Sequence, residues 1–423
     1  LQGVKSQVQE GSEELGLPVW ARVEAFPPAA EGFGWIDRKG GQHGCNSLDD
    51  LAKTIREDSK SIVDLVWTPE SKYCRVPEEI EAFAEPIAEV RKRWAEDDFA
   101  TAKHRMKTLG GGLAVLLAYM AFLAWSQSSK NPDSESHDHL AVILKTFLQS
   151  TSVGMGMLGF LIFAFIPWYQ AQKRMREIKK LGGRSLPVIP LIRFETWLDL
   201  QKAPVTRILL VMVIFAALGQ MFFDKAIVGF SQSVQSAGLV KTEYFGGQWW
   251  RLFTAPMLHG GIIHIAMNAM ALIYLGKRVE VFARWPHVPM VFLFSSLVGG
   301  LASAHFYPVK TSVGASGGLM GWLGFLIIFE TLHLRLVPKD ARRRLLAGVL
   351  MTGLIGFIGY NFIDNAAHSG GLVAGMVYAG IVFPKSGSVL RPKPNTTDLV
   401  IGSASLIVIA ASAIYALLRV AGG

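Results

Sequence analysis

The chain has 423 residues, 51% of them hydrophobic and 18% charged, with a mean hydropathy of +0.33. Soluble domains carry about 25% charged residues, and disorder requires few apolar residues and many charges, so both classes are excluded. The balance of 42 Lys+Arg against 33 Asp+Glu, a net +9, reads in such a chain as basic loops on one face of a membrane rather than as nucleic-acid binding.

In chain order, residues 1–105 read as a separate cytoplasmic domain. Pro18, Pro27 and Pro28 punctuate its start, and Cys45 and Cys74 are expected as free thiols. A helix is predicted over Ser47–Asp58 with Ser47 as its N-cap, a short strand over Ser61–Trp67, and a second helix over Pro77–Trp94 with a kink at Pro86. This is a small α+β module suited to docking or regulation. The first thirty residues hold no apolar signal-peptide core, so no cleaved leader is expected.

A membrane-crossing helix needs roughly 20 apolar residues. Nine stretches lack Lys, Arg, Asp and Glu: Leu109–Ser129, Thr146–Gln172, Ile208–Phe223, Leu252–Gly276, Trp285–Val309, Thr311–Phe329, Leu345–Ile363, Asn365–Pro384 and Leu399–Leu418. The loops that follow the second, fourth, sixth and eighth are rich in Lys and Arg, including Lys173, Arg174, Arg284, Arg342 and Arg391. The alternate loops are poorer, and Asp133–His139 is acidic. By the positive-inside rule the N-terminus is cytoplasmic and the C-terminus lies outside.

Polar side chains at membrane depth are costly unless paired, so each requires a reason. Ser316 lies in Gly314-Ala315-Ser316-Gly317-Gly318, and Gly317 and Gly321 form a small-residue face. His368 is followed by Gly371 and Gly375, again four apart on one helical face. Close packing of two such faces brings Ser316 and His368 within hydrogen-bonding reach, at matched depth. A neutral imidazole is suited to take the proton of a serine nucleophile. The oxyanion that follows needs donors, and His264 and Asn268, one turn apart, are suited to supply them with the Ser316 N–H.

These residues, with His259 ahead of His264 and Asn268, resemble the rhomboid family of intramembrane serine proteases. Trp250-Arg251 resembles the Trp-Arg pair of the family's first luminal loop, and Gly276 with Glu280 its Gly-x3-Glu. The resemblance spans roughly Pro204–Pro384. It implies an all-α polytopic membrane protein, with a six-helix rhomboid core at residues 204–384. Two additional transmembrane helices and a basic linker occupy 106–203, and a linker and one extra helix occupy 385–423. It implies a Ser316–His368 dyad and an oxyanion hole of His264, Asn268 and the Ser316 N–H. Trp250, Arg251, His259, Gly276, Glu280, Gly314, Gly317, Gly371 and Gly375 are then structural, and Asp364 has no catalytic part. Met320 stands where many members have an aromatic residue, so a thioether fills that space.

The implied function is endoproteolysis of transmembrane protein substrates within the lipid bilayer, with no cofactor, no metal and no nucleic acid. Substrate entry is expected by displacement of Leu345–Ile363 and the loop Asn361–Ala367. The rival reading is a catalytically inactive rhomboid-like protein that binds membrane helices. The expected location is a bacterial inner (plasma) membrane, and the N-terminal domain is expected to meet a cytoplasmic peptide or protein. Gly34–Glu81 bears a slight resemblance to GYF-like peptide-binding adaptors. His-Glu-x-x-His and Gly-x-Gly-Asp, the marks of metallo- and aspartyl membrane proteases, are absent.

Overall fold

The computed structural model describes residues 16–58, 63–129, 139–180, 189–226, 229–307 and 310–422. The acidic loop expected at Asp133–His139 and the first two residues of the strand expected at Ser61–Trp67 lie wholly or mainly outside them. Among the described residues the molecule is a helical, polytopic protein with one small sheet. It divides into two compact units: Val23–Thr196 with Thr352–Ile363, and Trp197–Met351 with Asp364–Gly423 and the chain up to Arg22.

In the first of these, β1 (Phe33–Asp37), β2 (Gln42–Cys45) and β3 (Val63–Trp67) form an antiparallel sheet of order β2-β1-β3. Trp35 pairs with His43 and with Val66 across the sheet, and the indole stacks on the imidazole at 4.1 Å. Helix α1 (Leu48–Glu57) starts where the sequence predicts, because the Ser47 hydroxyl accepts from the Asp50 N–H at 3.1 Å. Its Leu51 and Ile55 pack on Val66, Phe83, Ile87 and Val90. Cys45 and Cys74 are unpaired.

Pro86 does not kink a helix. Pro77–Glu79 and Glu81–Phe83 are short 3-10 turns, and α2 (Ala84–Ser129) then runs unbroken for 46 residues. Pro86 is the third residue of α2, in the first turn, where its missing N–H has no internal acceptor to serve. The charged first half of α2 gives way to an apolar half from Leu109. Packed with it are α3 (His139–Gln149), α4 (Thr151–Phe160) and α5 (Ile166–Lys180), the last two joined through a π-helical stretch at Leu161–Phe165. In the same unit the Tyr360 hydroxyl donates to the Leu148 carbonyl at 2.7 Å, Asn361 Nδ2 donates to the same oxygen, and Phe362 lies against Gly154.

After α6 (Ile189–Leu200), the second unit is built on α7 (Pro204–Asp224), α11 (Ile262–Ala283), α12 (His287–Phe306), α13 (Ser316–Leu332), α15 (Asn365–Val382) and α16 (Thr396–Ala421). Between α7 and α11 lie three short helices, α8 (Ser231–Ala237), α9 (Lys241–Phe245) and α10 (Arg251–Thr254). Helix α14 (Lys339–Ile358) begins in this unit.

Among the described residues six helices are long and apolar enough to cross a membrane: Glu81–Gln127, Ser152–Lys180, Pro204–Asp224, Ile262–Ala283, His287–Phe306 and Thr396–Ala421. The remaining three of the nine stretches are helical too, but shorter or more polar. Helix α13 has 17 residues because the chain before it is extended, with Ser312 bridged to Leu239, and turns at Gly314 with φ +122°. Helix α14 opens on Lys339, Asp340, Arg342, Arg343 and Arg344, and α15 on Asn365 and His368. Likewise the fourth stretch becomes helical only from Ile262, after α10 and a 3-10 turn at Ala255–Met257.

Candidate active site

Three helix N-termini converge at one end of this unit. His264 is the third residue of α11, Ser316 the first of α13 and His368 the fourth of α15. Helices α13 and α15 meet along glycines. A Cβ on Gly371 would stand 2.1 Å from the Gly317 carbonyl oxygen, and one on Gly375 would stand 1.8 Å from that of Gly321. Only hydrogen atoms fit there, so the two backbones touch. The consequence is that Ser316 Oγ and His368 Nε2 lie 2.8 Å apart.

His264 and Asn268 flank the loop that delivers Ser316. A Cβ on Gly314 would fall 2.9 Å from His264 Nε2 and 3.5 Å from Asn268 Nδ2. Gly314 is therefore fixed twice, by its positive φ and by these two side chains. His264 Nδ1 accepts from the Gly260 N–H at 3.4 Å, which in a neutral imidazole leaves the proton on Nε2, facing the Ser316 loop. Asn268 Nδ2 is buried and has no hydrogen-bond acceptor. The Ser316 N–H belongs to the first turn of α13, where a helix offers no internal acceptor. The positive ends of helix dipoles point at the same place.

The remaining expected residues make contacts around the site and elsewhere in the same unit. His259 is fully buried, its ring edge-on to His264 at 5.1 Å. Gln220 grips its backbone, donating to the carbonyl at 3.0 Å and accepting from the N–H at 2.9 Å. Arg251 donates to the Gly238 carbonyl at 2.6 Å and the Gln235 carbonyl at 3.1 Å, ordering the turn after α8. Trp250 meets Tyr415 of α16 edge-on at 5.4 Å. Gly276 admits Thr206 and Trp322 where a Cβ would sit 2.7 and 2.8 Å from them. Glu280 caps α7, its carboxylate accepting from the N–H groups of Val205 at 3.0 Å and Thr206 at 2.8 Å. Gly317 alone has room, with ordinary contact to the Ala367 carbonyl at 3.7 Å.

The sequence reading missed a polar cluster one turn from His368. Asp364 caps α15 by accepting from the Ala367 N–H at 2.9 Å, and its other oxygen accepts from Ser303 and Ser312. Lys241 of α9, 3% exposed, lies 3.9 Å from the same carboxylate and donates to Ser312 and the Lys310 carbonyl. Four separate segments thus meet at Asp364. The Asp-x-x pattern ahead of an apolar helix was the one available signal. A second buried pair, Arg278 with Glu330, joins α11 to α13 through two bonds of 2.6 and 2.9 Å.

Residues 246–385 match the family described as Rhomboid domain. Over this segment the chain is similar to the rhomboid family. Rhomboid protease GluP of Bacillus subtilis (strain 168) is 34% identical over 143 residues, which is 34% of this chain and 28% of that protein. RHOMBOID-like protein 6, mitochondrial, of Arabidopsis thaliana is 36% identical over 145 residues, 34% of this chain and 47% of its own length. Inactive rhomboid protein 1 of Rattus norvegicus is 32% identical over 139 residues, 32% of this chain and 16% of that protein. The chain thus spans less than half the length of each of these three relatives, which include proteins named as protease and as inactive.

Proposed function

We propose that the chain is an intramembrane serine endopeptidase that cuts transmembrane segments of other membrane proteins. The observation that carries this reading is the 2.8 Å approach of Ser316 Oγ to His368 Nε2. In the reaction, Nε2 takes the hydroxyl proton as Oγ attacks the scissile carbonyl carbon. The charge that develops on the carbonyl oxygen is met by the Ser316 N–H, the His264 Nε2–H and the Asn268 amide. The imidazolium then gives its proton to the departing amine, leaving an acyl group on Oγ. A water molecule, deprotonated by His368, releases that acyl group and restores the serine. Asp364 takes no part in these transfers, since its oxygens are occupied by Ala367, Ser303 and Ser312.

Under this reading residues 204–384 form the protease core, residues 1–105 a cytoplasmic domain with a peptide or protein partner, and 106–203 and 385–423 additions to it. Entry of a substrate helix is by displacement of Leu345–Ile363 and the loop Asn361–Ala367. The N-terminus is cytoplasmic and the membrane a bacterial inner membrane. The second reading, a helix-binding protein without activity, draws on relatives named as inactive rhomboid proteins. Purified protein in micelles, given a reporter with one membrane-spanning segment, separates the two. Cleavage by the wild type and none by Ser316→Ala or His368→Ala is expected. No cleavage by the wild type favours the second reading, and equal cleavage by all three removes the dyad.

A further inference from the structure

At the opposite end of α11 from His264, an open cavity of about 920 Å³ is lined by Lys202, Arg284, Trp285, Arg391, Lys393 and Glu280, among others. Four cations thus share one hollow with a single carboxylate. That carboxylate is already spent on the N-terminus of α7. No ion pair among the described residues involves Lys202, Arg284, Arg391 or Lys393. Arg391 donates to the Val281 carbonyl at 3.1 Å and lies over the Trp197 ring at 5.9 Å. Its guanidinium is held below the usual arginine range by burial and then by the charge of Arg284.

Arg284 carries a backbone cost. It sits at φ 76° and ψ 160°, a region that glycine occupies and side chains avoid. Its bond to the Pro392 carbonyl, at 3.4 Å, is too long to account for that cost. A residue held in a glycine conformation, among like charges and with no carboxylate in ion-pair contact, is placed for an anion.

We propose that this cavity binds the phosphodiester headgroup of an anionic membrane lipid. Its walls are the first turn of α7, the last turn of α11 and the segment leading into α16, all ends of helices long enough to cross a membrane. The cavity therefore opens at the level of the membrane surface. Trp285 in its wall and Trp197 beneath Arg391 add the indole-and-cation pairing found at headgroup depth. Helix α11, roughly 30 Å long at 1.5 Å per residue, separates the cavity from His264, so this site is distinct from the dyad.

The test is thermal unfolding of the full chain in neutral micelles, titrated with phosphatidylglycerol, phosphatidylcholine, or soluble glycerol phosphate. Phosphatidylglycerol is expected to raise the unfolding temperature by about 3 °C, as saturating ligand does, and phosphatidylcholine to leave it unchanged. Lys202→Gln with Lys393→Gln is expected to lose more than half of that rise. Lys339→Gln with Lys385→Gln, an equal loss of charge at exposed positions outside the cavity, is expected to keep it. Arg284→Gly is expected to unfold no earlier than wild type in neutral micelles, because glycine relieves the backbone, yet to respond less to phosphatidylglycerol. Equal responses to the two lipids, an unaltered response in the Lys202/Lys393 variant, or an equal rise with glycerol phosphate would each overturn the lipid assignment. A drop in basal unfolding temperature for Arg284→Gly would reduce Arg284 to a structural part.

Discussion

The Gly371 α-carbon lies so close to the Gly317 carbonyl that an added methyl would stand 2.1 Å from its oxygen. Gly371→Ala must therefore push α15 away from α13, and with it His368 away from Ser316. Overpacking of this kind costs about 1–3 kcal/mol of stability. A displacement of about 1 Å at a reacting pair costs roughly a hundredfold in rate. Reporter cleavage by Gly371→Ala or Gly375→Ala is thus expected to fall much further than the unfolding temperature. Gly317→Ala, at a position with room, is expected to be mild in both measurements.

Lys241 sets a pH window. Burial pulls its ammonium from 10.5 down to about 8, with the Asp364 charge opposing. Between those values the unfolded chain binds more protons than the folded one, so stability rises with pH across the window. The full gain is of the order of 3 kcal/mol. Unfolding temperatures measured from pH 7 to pH 10 are expected to rise in the wild type relative to Lys241→Met. Parallel curves would show that the lysine is solvated.

Asp364 is expected to act on rate through position alone. Asp364→Ala removes the cap on α15 and takes an acceptor from Ser303 and Ser312, which still bond each other, a loss of about 1–3 kcal/mol. It acts through the placement of α15 and His368, so kcat is expected to drop by a larger factor than KM changes. Asp364→Asn, which keeps an oxygen for the Ala367 N–H, is expected to recover part of the loss. A changed KM with an intact kcat would contradict this.

Glu280 holds α7 through three bonds, to the Val205 N–H, the Thr206 N–H and the Thr206 hydroxyl at 2.7 Å. Glu280→Gln keeps part of that set but loses the negative charge at the positive end of the helix. The expected cost is about 1–2 kcal/mol, read as an earlier unfolding transition. Glu280→Ala is expected to be worse than Glu280→Gln.

Tyr360 and Asn361 both donate to the Leu148 carbonyl, on the segment that the proposed entry route must move. Each such bond contributes about 1 kcal/mol. Tyr360→Phe with Asn361→Ala is expected to raise reporter cleavage several-fold. Unchanged cleavage would take this segment out of the route.

What the sequence disclosed, and what it hid, follows from distance along the chain. Ser316 and His368 were legible because each sits beside glycines at helical spacing, and His264 and Asn268 because one turn separates them. Lys241, Ser303, Ser312 and Asp364 were not, because they come from four segments and no local pattern joins them. Charge-free stretches marked the helices but not their starts. The sixth begins at Ser316 rather than Thr311 because Gly314 turns the chain and Ser312 bridges to Leu239. Pro86 was read as a kink from its residue type, whereas its place in a first turn makes it harmless.

The seam between α13 and α15 has main chain on both sides, Gly321 and Gly375 leaving no gap even for a methyl. Nothing as large as a solvent molecule can travel along it. The nucleophile for the second half of the proposed reaction therefore does not come up between α13 and α15, and the end where the three helices begin, with Ser316 at the first residue of α13, is its short way in.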